Sequence, residues 1–463
     1  MPAHPIDFTI QAAIYSTPEL VAIFDEKKRF QRWLTIEAAL AQTQAEFGII
    51  PEKAAREITE KADISNLDLD AVARDYLNSR NSIMPLIKEL RAACSDNHGE
   101  FVHYGATTQD ILDTSQILEL REIIGILSRD LSKLSAILIA LTDQHKNTPM
   151  IGRTHGQQGL PITFGFKTAI WLQEIKRHIE RLVSLAPELF RGQLSGAVGT
   201  MAALGPKARE VAKETMLKLE LGVARIPWHT SRDNIAAFSS FCAMLAGTLE
   251  KIASEIINLG KTEIGELREP APAKAVSSST MPHKRNPVIS QRICVLARHV
   301  RAQNTVVIES MVHDHERDGR ALWSEWLAIP QICVYTGTAL HYINEIMSAV
   351  EVDTEKMKTN LYLHREMVVS EYFLFRMGEY IGKMKAQEKL QEFMPLVLSG
   401  KKSLKECISN DKEIGHLLDA DDLALFDAPE KYTGHATAIA AEVVEECRKA
   451  ELTAQNFFEK FKI

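Results

Sequence analysis

Cysteine is scarce in this chain and scattered. Six of 463 residues are cysteine, and no two stand in a C-x-x-C spacing. That argues against a disulfide frame or a thiolate zinc site and points to reduced thiols in the cytoplasm. A strong excess of one charge is missing too. Lys and Arg total 54 against 61 Asp and Glu, a net of −7 with both signs interspersed. There is no basic stripe for nucleic acid and no polybasic patch for a membrane surface. No apolar run approaches the ~20 residues that a membrane span needs. Met1 to Thr17 lacks the charged-then-apolar order of a secretory signal. Period-two alternation is nowhere sustained, so no sheet of consequence is expected. No ligand cluster calls for a metal and no dinucleotide fingerprint calls for an organic cofactor.

What is present is helical periodicity on a chain that is 45% hydrophobic. Ile117, Leu120, Ile124, Leu127, Leu131, Leu134, Leu138 and Leu141 recur at steps of three and four. That spacing predicts one long helix. Leu118, Ile123, Ile126, Ile137 and Ile139 lie off the stripe, so this helix is expected to be buried on more than one side. Phe238 to Leu259 repeats the pattern. Ile162 to Leu185, bounded by Pro161 and Pro187, reads as a third long helix, and a fourth begins after Pro287. Helices this long pack well only near-parallel, at around 20°. The fold expected is all-α in three helical domains: an N-terminal one over 1–110, a central long-helix bundle over 111–362, and a small C-terminal one over 363–463.

Four polar islands interrupt the apolar pattern. Ser278-Ser279-Thr280-Met281-Pro282-His283-Lys284-Arg285-Asn286-Pro287 has two prolines, a run of hydroxyls, a cation and an amide. It reads as a functional loop on a rigid scaffold. His103 to Asp110 places hydroxyls just before the long helix, where free backbone amides make an anion site. Gly152 to Gln157 holds His155 in a glycine-flanked polar turn, and Gly192 to Thr200 is a glycine-rich loop.

The first of these islands resembles the S-S-x-M-P-x-K-x-N-P signature of the fumarase/aspartase superfamily. The likeness extends over nearly the whole chain and is most specific in the middle. It implies a central bundle contributing to a 20-helix core in a homotetramer, with each active site built from three subunits. It further implies cofactor-independent trans elimination from a small dicarboxylate-type substrate. Ser278 would be the base, acting as an alkoxide, and His155 would deliver a proton to the leaving group. Thr107 and Thr108 would hold a substrate carboxylate. Thr154, Lys284, Asn286, His103, Gln193 and Arg317 would complete the substrate contacts. A free serine is a very weak base near neutral pH, so its surroundings must draw its proton off as the loop closes.

Departures from individual members narrow the substrate. Adenylosuccinate lyase carries a Ser-Ser and an Arg after His-Glu-Arg-Asp to grip a phosphate. Here Leu322, Trp323 and Trp326 stand at those places. A leucine and two indoles do not hold a phosphate. That enzyme's early Arg-Tyr is Ile14-Tyr15 here, and its further histidine is Asn81. Asn81-Ser82-Ile83-Met84-Pro85-Leu86, Trp228 to Asp233 and Trp323 to Leu327 are similar to 3-carboxy-cis,cis-muconate cycloisomerase instead, although bacterial forms of that enzyme tend to have Trp at the place of His155. The expected function is therefore C–N cleavage of a non-nucleotide N-substituted aspartate or substituted succinate, releasing fumarate. The cycloisomerase is the alternative, and a non-catalytic structural homologue a remote third. Ser278→Ala is expected to abolish turnover while leaving the oligomer intact on size-exclusion chromatography; near-normal rates would remove Ser278 from its role.

Overall fold

The computed structural model describes residues 5–8, 10–270, 281 and 284–460. The signature serines therefore lie outside the described residues, and so does Ser278. The first long helix, α1 (Glu26–Glu46), is capped by the Asp25 carboxylate, which accepts the Lys28 N–H at 3.1 Å. It ends just before Gly48, whose φ of +69° is one that glycine adopts without strain.

The chain's longest element is α2 (Thr108–His145), 38 residues, about 57 Å at 1.5 Å per residue. All of the expected apolar stripe except Leu141 is buried, and Ile123, Ile126 and Ile139 on other faces are buried as well. A short antiparallel hairpin follows, β1 (Pro149–Thr154) and β2 (Gln157–Thr163). Then come α3 (Phe164–Leu189), α4 (Asp233–Leu259), α5 (Val288–Glu309), α6 (Gly319–Met347) and α7 (Ala436–Lys460). α4, α5 and α6 pack on one another, and α2 packs on α3 and α6. Besides the hairpin, the described sheet is two further two-residue pairings.

Three features depart from expectation. α3 does not stop before Pro187 but carries it in its last turn, and the Phe190 N–H still reaches the Ala186 carbonyl at 2.9 Å. A proline this close to a helix end disturbs only bonds that fray in any case. α6 was not foreseen as a helix; Pro330 sits inside it, which removes the bond to the Trp326 carbonyl. α4 is long and apolar enough, by length and composition, to cross a bilayer, yet most of its apolar window is buried within the chain. It is a bundle helix.

A second, smaller core gathers Leu361, Phe373, Met377, Leu404 and Phe426. Phe373 and Phe426 stack there with centroids 4.0 Å apart. α7 leaves that core and lies along α3 and α2, where Val444 and Cys447 are buried.

Candidate active site

The long helices sort the candidate residues into two groups. One gathers where α2 begins. Arg317 donates from Nη2 to the Thr107 hydroxyl at 3.1 Å and to the Ala197 carbonyl at 2.8 Å, and from Nε to Gln109 at 2.9 Å. Two separate islands thus meet at one guanidinium. Thr107 is the N-cap and Thr108 the first residue of α2, where the helix dipole favours an anion.

Asp110 holds this end together. Its buried carboxylate accepts the N–H groups of Ser195 and Gly196, both at 2.9 Å, and that of Thr107 at 3.1 Å. His229 Nε2 lies 3.1 Å from it as well. One side chain therefore ties the helix start to the glycine-rich loop. Gln193 is turned inward: its Nε2 donates to Asp113 at 2.6 Å and its Oε1 accepts the Trp228 N–H at 2.8 Å. In this conformation it supports the loop instead of presenting its amide to open space.

Behind this surface lies a buried charge network that sequence reasoning missed. Arg232, 1% exposed, bonds Asp113 at 2.9 Å, Glu325 at 2.6 and 2.9 Å, and Gln116 at 3.2 Å. Trp228 stacks on its guanidinium, 4.8 Å from ring centroid. Burial pushes the Asp113 carboxyl above its ordinary range, with Arg232 opposing and Glu325 reinforcing the rise. One cation facing two carboxylates leaves an excess negative charge in the interior, and a raised carboxyl is the expected response. The signal was present in the sequence: Asp110, Asp113, Gln116 and Glu119 recur every third residue down an otherwise apolar helix.

The other group lies where α2 ends. His155, with φ +53°, and Gly156, with φ +77°, form the tip of the β1–β2 hairpin, and the His155 and Thr154 side chains are exposed. Arg153 anchors the hairpin by donating two hydrogen bonds to the buried Glu266, at 2.6 and 2.9 Å. The described flanks of the signature stretch are here too. Glu269 accepts the Ile289 and Ser290 N–H groups at the start of α5, at 3.2 and 2.5 Å. Arg285 pairs with Glu351 at 2.7 and 2.9 Å. Lys284 and Asn286, on either side of it, are exposed.

Long helices packed on one another, with polar loops gathered at their ends, have the build of a helical-bundle lyase. A family model described as Lyase matches residues 13–302, and the chain belongs to the fumarase/aspartase superfamily of lyases. It is 39% identical over 392 residues to N-acetyl-S-(2-succino)cysteine lyase of Enterococcus italicus, covering 85% of this chain and 86% of that protein. It is 37% identical over 456 residues to adenylosuccinate lyase of Pyrococcus horikoshii, covering 97% and 99%. Among solved structures, 3-carboxy-cis,cis-muconate lactonizing enzyme of Pseudomonas putida superimposes with a TM-score of 0.88 at 32% identity, covering 96% of this chain and all of that one.

His103 completes the first group. Its φ is +63°, and its Nδ1 lies 2.6 Å from Glu37, itself buried. Burial pulls its pKa down, but the Glu37 carboxylate outweighs this and the net shift is upward. A histidine held above its unfolded value of about 6.5 binds its proton more tightly when folded. Its contribution to stability is thus full below about pH 6.5 and is lost as pH rises through the folded value. The stability gap between the native chain and a His103→Gln variant is expected to shrink between about pH 5.5 and about pH 9 in urea denaturation; a gap that widens with pH would contradict the pairing.

Proposed function

We propose that this enzyme catalyses trans β-elimination from a non-nucleotide substituted succinate, releasing fumarate. The observation that carries the reading is the convergence of Thr107, Arg317 and the 192–200 loop at the start of α2. A base removes the proton from the carbon next to one carboxylate. The electron pair forms the carbon–carbon double bond as the bond to the leaving nitrogen or sulfur breaks. The leaving atom takes a proton from an acid. The step needs cations and donors placed where charge develops on the carboxylate. Arg317, Lys284, Asn286 and the α2 N-terminus are of that kind, with Thr108 and Thr154 as hydroxyl donors. Ser278 is the base and His155 the acid on the superfamily's pattern.

Both nitrogen and sulfur fit as the leaving atom. The relative named N-acetyl-S-(2-succino)cysteine lyase supports sulfur; the one named adenylosuccinate lyase supports nitrogen. Cycloisomerisation is the second reading, favoured by the 0.88 TM-score with the lactonizing enzyme. A cytoplasmic setting suits the six free cysteines, five of them buried.

The two residue groups lie at opposite ends of a helix of about 57 Å, so a complete site takes its parts from different subunits of a homotetramer. Two outcomes are expected. Incubation with a panel of N- and S-substituted succinates should raise ultraviolet absorbance as fumarate forms; activity only toward carboxymuconate would favour the cycloisomerase. Thr107→Ala and His155→Ala variants should each be inactive alone, yet recover about a quarter of native activity when unfolded and refolded together, as random assortment of subunits requires. No recovery from folded mixed oligomers would overturn the shared site.

A further inference from the structure

A cavity of about 410 Å³ opens between α1, α2 and α6. That is the size of a small-ligand site. Five rings, Phe24, Phe30, Trp33, Tyr76 and Trp326, line much of it. Phe30 packs against Trp33 at 5.2 Å and against Tyr76 at 6.2 Å between centroids. Burial pushes the Tyr76 hydroxyl well above its ordinary pKa, and that hydroxyl donates to the Ser82 carbonyl, so it stays neutral.

The Arg29, Tyr76, Gln116 and Glu119 side chains of the cavity are committed elsewhere, and one buried polar atom is not. Among the described residues lining it, Arg29 is the one cation. Its Nε and Nη2 both go to Glu119, at 2.8 and 3.0 Å. Gln116 is held by Arg232 and Glu325. That atom belongs to Ser115: the residue is 2% exposed, it lines the cavity, and its hydroxyl has no partner among the described residues. A buried hydroxyl left alone is costly, and a ligand atom would relieve it.

The cavity is also in register with the carboxylate-binding end of α2. Thr108, Leu112, Ser115 and Glu119 follow at steps of four, three and four, which is one helix face. Leu112 lies about 6 Å and Ser115 about 10 Å along the axis from Thr108. A substrate whose carboxylate sits at Thr108 would direct its other end down this face.

We propose that the cavity receives the leaving group, and that this group is uncharged and apolar or aromatic, with one hydrogen-bonding atom for Ser115. This rests on the elimination reading. An anionic group is disfavoured because the cavity has two carboxylates, Glu26 and Glu119, against the one committed Arg29. Trp326 sets the selectivity: it supplies apolar surface to the cavity wall contributed by α6.

The test compares three synthetic thioethers: 2-(benzylthio)succinate, 2-(methylthio)succinate and 2-(2-sulfoethylthio)succinate. The benzyl compound is expected to exceed the sulfoethyl one in kcat/KM by about tenfold or more. Trp326→Arg should reverse that order. Ser115→Ala should weaken a benzylthio compound bearing a ring hydroxyl more than the unsubstituted one. Equal rates for all three thioethers, or equal loss for all three in Trp326→Arg, would overturn the proposal. Binding of benzyl alcohol, read by quenching of tryptophan fluorescence, separates the two readings. Quenching that Trp326→Ala removes, without turnover of any thioether or of the matching N-benzyl and N-methyl aspartates, would keep the cavity as an apolar site and sink the elimination reading. No binding and no discrimination would sink the cavity.

Discussion

A helix of 38 residues cannot bring its own ends together. That constraint organises the molecule. α2 begins among Thr107, Arg317 and the 192–200 loop, and it ends at the hairpin that carries His155. α4, α5 and α6, at 27, 22 and 29 residues, are shorter but run between the same two regions, which is why the flanks of the signature stretch share an end with His155. In the proposed elimination each end has half of the apparatus: hydroxyls and a guanidinium for an anion at one, an imidazole and a lysine at the other. Under that proposal the chemistry is assembled between chains, and rigid helices fix the spacing with which the halves are offered. Rigidity is useful here, since misplacement by an ångström is costly in proton transfer.

The start of α2 is held by charge as well as by the apolar packing of Ile111 and Leu112. Asp110 satisfies backbone amides of a loop 85 residues away in sequence, and Arg232 bridges Asp113 and Glu325 in the interior. Breaking a buried ion pair by removing one partner costs roughly 3–5 kcal/mol because the other charge is left unpaired. A network of this kind is weak evidence for net stability, since desolvation opposes the attraction. It does fix geometry. Asp113 faces Gln193 as well as Arg232, and Gln109 bonds both His229 and Arg317. The position of the exposed Arg317 is thus continuous with the buried cluster.

Local signals were legible in the sequence and long-range pairing was not. The apolar steps from Ile117 to Leu141 mark α2 because periodicity is a property of one segment. The polar islands stand out because they break that pattern. Nothing local says that Arg232 meets Glu325, 93 residues on; such contacts are set by how helices align. The same limit explains Gln193, whose glycine-rich surroundings suggest an exposed contact while its amide serves Asp113. α6 was missed for a different reason: Pro330 and two tryptophans obscured its period, and a proline is tolerated inside a helix that neighbours hold on both sides.

The division of polarity within the first group bears on how such a reaction gains rate. Only interactions stronger in the transition state than in the ground state accelerate chemistry. In the proposed elimination, negative charge grows on the succinyl carboxylate, so fixed cations and amides belong there, beside Thr107 and Arg317. The leaving group changes charge only at the atom that departs. Binding its remainder in an apolar cavity adds affinity without competing for those cations. A cationic cavity would draw a dicarboxylate toward the wrong end of the site, through the same attraction that Arg317 must exert at the right one. The pairing of Arg29 with Glu119 removes that competition, leaving Arg317 as the guanidinium aimed at the start of α2.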